Sequence, residues 1–294
     1  AAGATVREGA LVRSVTQDAD TVRLRVNALA TAPAAGSAAP AADAGARGDE
    51  EVRARVVIGA DGSAGITARH VGVTYDQVDL GLEVDVPMPR ATAGPGRDSA
   101  RADWAGRLLI DWGPLPGSYG WVFPKGDLLT VGVIAARGQG EATRAYLASF
   151  LDRLQLSTVE RIHDSGHLTR CRAPDSPVRR GRVLVAGDAA GLLDPWTREG
   201  ISFALRSGAL AGAAAASGDL ARYESDVEST LAPLMAAGRR LLRLFEAHPG
   251  ACHAAVATPP GWRLFTAVCR GELDLAQVVR HRSVRAALAL LGGR

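Results

Sequence analysis

The sequence GDAAGLLDPWTREGI, which runs from Gly187 to Ile201, follows the apolar segment RVLVA at residues 182–186. The apolar segment predicts a strand that is buried on both faces, and the small residues after it allow a bulky ligand to approach the backbone. Asp188 supplies a carboxylate that can accept hydrogen bonds from a polyol. A helix beginning near Gly200 would direct free N–H groups and the positive end of its dipole to the same place. We therefore expect a ligand site at the carboxyl end of this strand.

A second pair of acidic and small residues follows another predicted strand much earlier in the chain. The segment VRARVVIGA, residues 52–60, becomes continuously apolar at its end and leads directly into Asp61 and Gly62. In open α/β sheets, ligands bind outside the carboxyl ends of the strands, so the two motifs are expected to meet. Asp-Gly is also a common turn, which makes the second motif weak evidence on its own.

The residues between the two motifs show a different sequence pattern. Short β-like runs separated by turn residues recur over residues 74–175, which predicts an inserted antiparallel sheet with one helix from about Glu141 to Leu154. Residues 21–27 predict a half-exposed strand, residues 28–49 a loop, and the residues before Val6 the end of a helix. From about Glu199 the pattern is helical, with Asp219 as a predicted N-cap and breaks at residues 248–250 and 259–261. The fold class expected is α/β (α+β) with C-terminal helices.

Composition and charge exclude several classes of protein. The chain has 294 residues, of which 47% are hydrophobic and 22% charged, as in an ordinary globular protein. A net charge of +3 without a clustered basic face gives no argument for nucleic acid as a partner. Cys171, Cys252 and Cys269 lack the spacing of metal ligands, so we expect a reducing, cytoplasmic compartment and no metal site. Lys125 is the one lysine in the sequence.

Three aromatic residues alternate along one predicted strand. Tyr119, Trp121 and Phe123 lie in the run YGWVFPKGD, residues 119–127, which is followed by Val-Gly-Val at residues 131–133. Alternation places all three rings on one face of a strand. From the residues alone, a stripe of this kind is more often part of a core than of a binding surface.

These motifs resemble those of a known flavoprotein group. Residues 187–208 are similar to the Gly-Asp motif of the para-hydroxybenzoate hydroxylase superfamily, and residues 59–69 to its Asp-Gly motif. By position, Asp188 matches the aspartate that contacts the flavin ribityl chain. Gly65 stands where the family usually has a serine, and Arg69 is the nearest match to its following arginine. The run at residues 119–127 resembles the Tyr-x-Trp-x-Phe-Pro motif of the geranylgeranyl reductase family.

The resemblance implies a cofactor, a reaction and a set of site residues. The cofactor is FAD, and the reaction is saturation of C=C bonds in a polyprenyl substrate by hydride transfer from reduced flavin, with a proton delivered to the second carbon. No catalytic residue is identified. The implied cofactor-binding residues are Asp61, Gly62, Gly187, Asp188, Gly191, Pro195, Gly200 and Ile201. The implied substrate-binding residues are Tyr119, Trp121, Phe123, Pro124 and Lys125.

The implied partners follow from the same resemblance. They are a polyprenyl lipid, a prenyl diphosphate or an isoprenoid quinone as substrate, and NAD(P)H or ferredoxin as electron donor. Arg239, Arg240 and Arg243 form a basic group on a predicted helix. This group indicates either a solvated helix face or a surface for anionic lipid headgroups or a diphosphate, so peripheral contact with a membrane is left open.

The domain organisation expected has four parts. Residues 1–73 and 176–218 form the first and second parts of a partial Rossmann-like FAD-binding domain, 74–175 the antiparallel-sheet substrate domain, and 219–294 a helical region. No Gly-x-Gly-x-x-Gly turn, which holds the ADP half of FAD in the family, occurs in the sequence. We therefore expect this chain by itself to bind FAD poorly.

Two alternatives to a reductase stay open at this point. A flavin-dependent monooxygenase or halogenase would share both Asp/Gly motifs, although the halogenase run Trp-x-Trp-x-Ile-Pro does not occur. A truncated, non-catalytic prenyl-binding fragment is the second alternative. Lys125 lies in the run most specific to the reductases, where the preference for arginine elsewhere predicts an arginine, and a compact ammonium there suggests a point charge near a diphosphate or near Asp127.

Overall fold

A computed structural model describes residues 3–28, 50–88, 104 and 106–290. The predicted loop at residues 28–49 lies almost entirely outside the described residues. The strands are Ala10–Gln17 (β1), Val22–Ala28 (β2), Glu50–Ala54 (β3), Val57–Gly59 (β4), Tyr75–Pro87 (β5), Leu109–Trp112 (β6), Tyr119–Lys125 (β7), Leu128–Ala136 (β8), His163–Arg172 (β9), Arg179–Arg180 (β10) and Val183–Val185 (β11). The helices are Ile66–Val71 (α1), Gly140–Arg153 (α2), Ile201–Ser217 (α3), Ala221–Thr230 (α4), Ala232–Ala247 (α5), Pro249–Val256 (α6), Pro259–Cys269 (α7), Leu275–Arg280 (α8) and Arg282–Leu290 (α9).

The described strands form three sheets. One is antiparallel in the order β1-β2-β3, and one is the five-stranded antiparallel sheet β6-β7-β8-β5-β9, which confirms the predicted inserted sheet. In the third, β11 pairs parallel with β4 and antiparallel with β10. The predicted strand at residues 52–60 is in fact two strands, because the chain passes from the first sheet to the third between Ala54 and Val57. Residues 3–9 precede β1 without helical structure, so the predicted N-terminal helix end is wrong for them.

Two hydrophobic cores organise the elements. The first joins β11 to α3, α4 and α5, with Leu184, Tyr223 and Leu231 fully buried. The second lies between the five-stranded sheet and α2, where Val122, Val131 and Phe150 are buried together. One face of the five-stranded sheet is thus covered by α2, and the residues that alternate with the core valines lie on the other face.

The C-terminal region is helical, as predicted, and its proline breaks are helix starts. Pro249 begins α6 and Pro259 begins α7, because a proline at the first helical position needs no N–H partner. The N-cap of α4 is Leu220, and the neighbouring Asp219 contributes by accepting a hydrogen bond from the Arg222 N–H at 3.2 Å. No helix of the described residues is both long and apolar enough to cross a lipid bilayer.

Candidate functional site

The two acidic motifs meet at the carboxyl ends of two parallel strands. β4 and β11 run side by side, with Gly59 opposite Val185, so the residues that follow each strand emerge at the same edge. After β11 the chain turns through a short 3₁₀ helix, Gly187–Ala190, and reaches α3 by way of residues 191–200. This confirms the expected meeting of the two segments.

A cavity of about 470 Å³ opens at this edge. Five of the predicted cofactor-binding residues line it together: Gly62, Gly187, Asp188, Gly200 and Ile201. The other three predicted residues, Asp61, Gly191 and Pro195, are not among its lining residues. The other lining residues were not predicted as site residues from sequence, and they include Ile58, His167, Thr169 and Arg198.

Two glycines, Gly187 and Gly200, leave space in the wall of the cavity. Gly187 has a φ of +55°, and a Cβ there would lie 2.9 Å from the Cβ of Ala204. A Cβ on Gly200 would lie 2.9 Å from an Asp188 carboxylate oxygen. The backbone is therefore bare where the 3₁₀ turn and α3 approach each other, which leaves room for a flat ligand.

Two polar groups of the cavity have no hydrogen-bond partner among the described residues. The Asp188 side chain is exposed and makes no hydrogen bond with the described residues, while partial burial raises the pKa of its carboxyl group. The Oγ1 atom of Thr169 is buried without a hydrogen-bond partner in the described part of the chain. Since buried polar atoms are normally paired, a polar ligand group would satisfy Thr169, and a ligand hydroxyl could donate to the Asp188 carboxylate.

Asp61 has a structural role that the sequence did not reveal. Its carboxylate accepts hydrogen bonds from the Thr67 N–H at 3.0 Å and from the Thr67 hydroxyl, which stabilises the first turn of α1. A Cβ on Gly65 would overlap this carboxylate in its present position, so the capping geometry of Asp61 depends on glycine at position 65. The contact of Asp61 with a cofactor stays a prediction, and its geometry favours the capping role.

The start of α3 is less open than the sequence predicts. The Glu199 carboxylate accepts a hydrogen bond from the Ser202 N–H at 2.7 Å and another from the Ser202 hydroxyl at 2.6 Å. One of the first-turn N–H groups is thus already paired, and a negative charge stands at the positive end of the helix dipole. Ile201, 75% exposed, presents an apolar surface to the cavity beside it.

A buried ion pair holds the loop before α3 against the five-stranded sheet. Arg198 contacts Asp79 of β5 through Nε at 3.1 Å and Nη2 at 3.4 Å, and both side chains are 4% exposed. The Arg198 Nη1 atom also donates to the carbonyl oxygens of Gly117 at 3.0 Å and Trp196 at 2.7 Å. The adjacent charged residues Arg198 and Glu199, directly before the start of α3, are the sequence signal that could have indicated these roles.

His167 reaches the cavity from β9. The register places it opposite Gly81 of β5, on the face of the sheet that α2 does not cover. Histidine spacing in the sequence gave no reason to assign it a role, because its position is set by pairing between distant strands. Burial raises the pKa of the Asp188 carboxyl group, and the charge of His167 opposes that rise, because the two side chains face the same cavity.

The predicted aromatic stripe is present and leads away from the cavity. The ring centroids of Tyr119 and Trp121 are 5.8 Å apart, and those of Trp121 and Phe123 are 6.3 Å apart. The Tyr119 hydroxyl donates to the Thr197 carbonyl oxygen, and burial raises the pKa of Tyr119 to about 12. Phe123 is 38% exposed, so the aromatic stripe is only partly buried.

The remaining predicted residues lie outside the cavity. Lys125 has a side chain that is 68% exposed, and its Nζ atom lies 3.5 Å from the Asp85 carboxylate. Its positive charge is therefore paired with a carboxylate of the same sheet. Pro124 precedes it on β7. Gly191 accepts a hydrogen bond from the Arg172 N–H at 2.9 Å. The Pro195 carbonyl oxygen accepts one from Gln77 at 2.8 Å.

Comparison with known proteins gives this site a context. No family model matches the chain. Over 174 residues, or 56% of the chain, it is 30% identical to digeranylgeranylglycerophospholipid reductase 3 of Methanosphaera stadtmanae. Over 187 residues, or 60% of the chain, it is 29% identical to the chloroplastic geranylgeranyl diphosphate reductase of Oryza sativa subsp. japonica. The chain is thus similar in sequence to proteins named as geranylgeranyl reductases. The matches cover 41% and 38% of those two reductases, so the chain spans about two fifths of their length.

Solved structures show the same fold at lower sequence identity. A geranylgeranyl bacteriochlorophyll reductase-like protein from Thermoplasma acidophilum aligns with 81% of this chain, over 58% of its own length. The TM-score is 0.61 and the sequence identity is 19%. A flavoprotein/dehydrogenase from Cytophaga hutchinsonii aligns with 94% at a TM-score of 0.64 and 16% identity, over 65% of its own chain. A flavin-dependent brominase aligns with 91% at a TM-score of 0.62 and 17% identity, over 64% of its own chain. The expected fold class is confirmed.

Proposed function

We propose that the protein containing this chain is a FAD-dependent reductase that saturates carbon–carbon double bonds of a polyprenyl substrate. The observation that carries this proposal is the junction between the aromatic stripe and the cavity. Tyr119 bonds to Thr197, and the next residue, Arg198, lines the cavity. A long apolar chain lying on the stripe would therefore end at the cavity. The names of the sequence relatives indicate the same substrate class.

The cavity residues fit the ring and ribityl portions of a flavin. The unpaired carboxylate of Asp188 can accept hydrogen bonds from ribityl hydroxyls, and the unpaired hydroxyl of Thr169 can bond to a polar edge of the ring system. Gly187 and Gly200 leave the backbone accessible to a flat ring, and Ile201 supplies apolar contact. When bound, reduced flavin supplies the hydride for this reaction class.

The chain's own residues would hold the alkene and supply its proton. An isolated alkene is a poor electrophile, so it must be oriented in a site from which water is excluded, and the Tyr119–Trp121–Phe123 stripe offers such a surface. His167 lines the cavity, and an imidazole can carry a proton near neutral pH. Tyr119, whose pKa is raised to about 12 by burial, remains protonated and holds the loop at Thr197.

One experiment separates the reductase from its alternatives. The natural full-length protein is reduced with dithionite in the absence of oxygen and supplied with a geranylgeranyl phospholipid, geranylgeranyl diphosphate or menaquinone. Mass spectrometry should detect the addition of two hydrogen atoms per saturated bond. Product that forms only with oxygen would support the monooxygenase or halogenase alternative. A protein that binds prenyl chains without any flavin would support the non-catalytic alternative.

The flavin assignment has its own test in the same protein. Asp188→Asn should weaken FAD binding about tenfold, because a charged acceptor of hydrogen bonds becomes neutral. Titration of flavin fluorescence measures the dissociation constant. Asp152→Asn is the matched control, since Asp152 is an exposed carboxylate on α2 whose side chain lies far from the cavity lining. Equal affinity in the wild type and Asp188→Asn would contradict the assignment.

A further inference from the structure

A second cavity, of about 400 Å³, lies between the end of β9 and the start of α5. Three arginines line it: Arg172, Arg239 and Arg243. Glu228 is the acidic residue among the lining residues. A cavity of this size is within the range of small-molecule sites, and its concentration of guanidinium groups is unlike that of the flavin-sized cavity, which has Arg198 alone.

Arg172 is the unusual member of this group. The residue is 7% exposed, yet its side chain makes no hydrogen bond and no ion pair with the described residues. Its Nε atom is buried without a partner. Burial lowers the pKa of the Arg172 guanidinium group, but such a group stays protonated in proteins. Its positive charge is therefore partly removed from water without an ion-pair partner among the described residues.

The neighbouring charges compensate Arg172 only in part: burial lowers the pKa of its guanidinium group, and the charge of Glu228 opposes that effect without forming an ion pair. Arg239 bonds to Asp76 through Nε at 3.2 Å and Nη2 at 3.5 Å, and it also donates to the Arg172 carbonyl oxygen. Asp76 is thus committed to Arg239. Glu228 is exposed and forms no ion pair with Arg172 among the described residues. Arg243, exposed and one helical turn beyond Arg239, adds a further positive charge at the same opening.

The rest of the lining is apolar. Pro174 and Pro233 lie on the wall, and Met235 is 2% exposed in α5 behind it. A free inorganic anion would use the arginines but leave this surface uncovered. An organic phosphate would use both, because its phosphate oxygens match the fork of a guanidinium and its organic group covers the apolar wall.

We propose that this cavity binds the phosphate group of an organic phosphate monoester or phospholipid, with Arg172 and Arg243 as its direct ligands and Arg239 holding the backbone of Arg172. The proposal does not depend on the flavin assignment, because none of these residues lines the first cavity. The shared chemistry is a phosphate ester, and its source is a soluble metabolite or a lipid headgroup.

Isothermal titration calorimetry of the 294-residue chain tests the proposal with three probes at constant ionic strength. Butyl phosphate should bind, and inorganic phosphate should bind several-fold more weakly because it lacks the apolar contact. A sedimentation assay compares vesicles of phosphatidylglycerol with vesicles of phosphatidylcholine. Sedimentation of the chain with the phosphatidylglycerol vesicles alone would identify a lipid headgroup as the source of the phosphate. Binding of butyl phosphate without vesicle binding identifies a soluble ligand.

Two variants and a control identify the residues responsible. Arg172→Gln and, separately, Arg243→Gln should each weaken binding of butyl phosphate about tenfold, the loss of a charge-assisted hydrogen bond. Arg243 is exposed, so its variant stays informative if the buried Arg172 variant fails to fold. Arg263→Gln, an exposed arginine on α7, should bind as the wild type does. The proposal is overturned if none of the probes binds the wild type, or if both variants bind with unchanged affinity.

Discussion

Arg198 combines three unusual properties in one residue. Its guanidinium group is almost fully buried against Asp79, it donates to two further carbonyl oxygens, and its φ of +57° is rare for a residue other than glycine. The carboxylate of Asp79 also accepts a hydrogen bond from Gln77 at 2.7 Å. Such a network keeps the backbone of residues 194–200 in one conformation, which fixes the wall of the cavity at the start of α3.

Removal of the buried counter-charge should destabilise the protein strongly. Asp79→Asn leaves the Arg198 guanidinium buried without its carboxylate, and we expect a loss of about 3–5 kcal/mol in the free energy of unfolding. Arg53→Gln, which breaks the exposed pair with Glu51, should cost less than about 1 kcal/mol. Urea denaturation followed by circular dichroism measures both. Losses of similar size in the two variants would show that burial of the Arg198–Asp79 pair has little energetic consequence.

The pairing of β7 with β8 determines where the aromatic stripe can lie. Trp121 stands directly opposite Gly132 in the register of the two strands, and its indole ring lies over that glycine. The next pair along the strand, Val122 and Val131, faces the opposite side and packs into the core beneath α2. The Val-Gly-Val segment therefore has two faces, one that fills the core and one that admits the indole.

A side chain at position 132 should displace the indole. A Cβ on Gly132 would overlap the Trp121 ring, so Gly132→Ala forces that ring into solvent or another rotamer. We expect a red shift of tryptophan fluorescence and weaker binding of a prenyl chain. Gly140→Ala is the control, because a Cβ there meets its nearest neighbour, Leu80, at an ordinary distance of 3.7 Å. An unchanged emission spectrum in Gly132→Ala would contradict the described position of the ring.

A single glutamine side chain joins three parts of the whole molecule. Gln17 of β1 accepts a hydrogen bond from the Arg182 N–H at 2.8 Å, so its other amide atom is the NH₂ group. That NH₂ donates to the Arg180 carbonyl oxygen at 2.9 Å and lies 2.9 Å from Nε2 of His70 on α1. His70 must therefore accept this bond through an unprotonated Nε2, which requires a neutral imidazole.

Protonation of His70 should weaken this junction as the pH falls. Burial, with a contribution from the charge of Arg180, lowers the pKa of His70 below its value in the unfolded chain. The unfolded state consequently binds more protons, and the free energy of unfolding should decrease as the pH falls from about 7 through the unfolded pKa of about 6.5. His70→Gln should reduce this decrease, whereas His253→Gln, at an exposed position on α6, should leave it unchanged. Thermal unfolding between these pH values measures the effect, and an identical slope in His70→Gln would refute it.

The extent to which the sequence could predict the molecule depends on the range of the interactions. Local patterns correctly predicted the strands before Asp61 and Asp188, the antiparallel sheet and the shared face of the aromatic rings. Contacts between residues far apart in the sequence could not be predicted. Arg198 and Asp79, for example, form an ion pair although they are 119 positions apart. His167 reaches the cavity only because β9 pairs with β5 in one register, which periodicity does not determine.

The contact between Asp61, Gly65 and Thr67 restricts the substitutions that this protein can accept. The Asp61 carboxylate occupies the space of a side chain at position 65 while it bonds to Thr67, so the three positions cannot change independently. A serine at position 65 would require the Asp61 carboxylate to move aside, which in turn would free Thr67. The three residues thus form an epistatic group, in which the order of mutations decides which evolutionary paths are open.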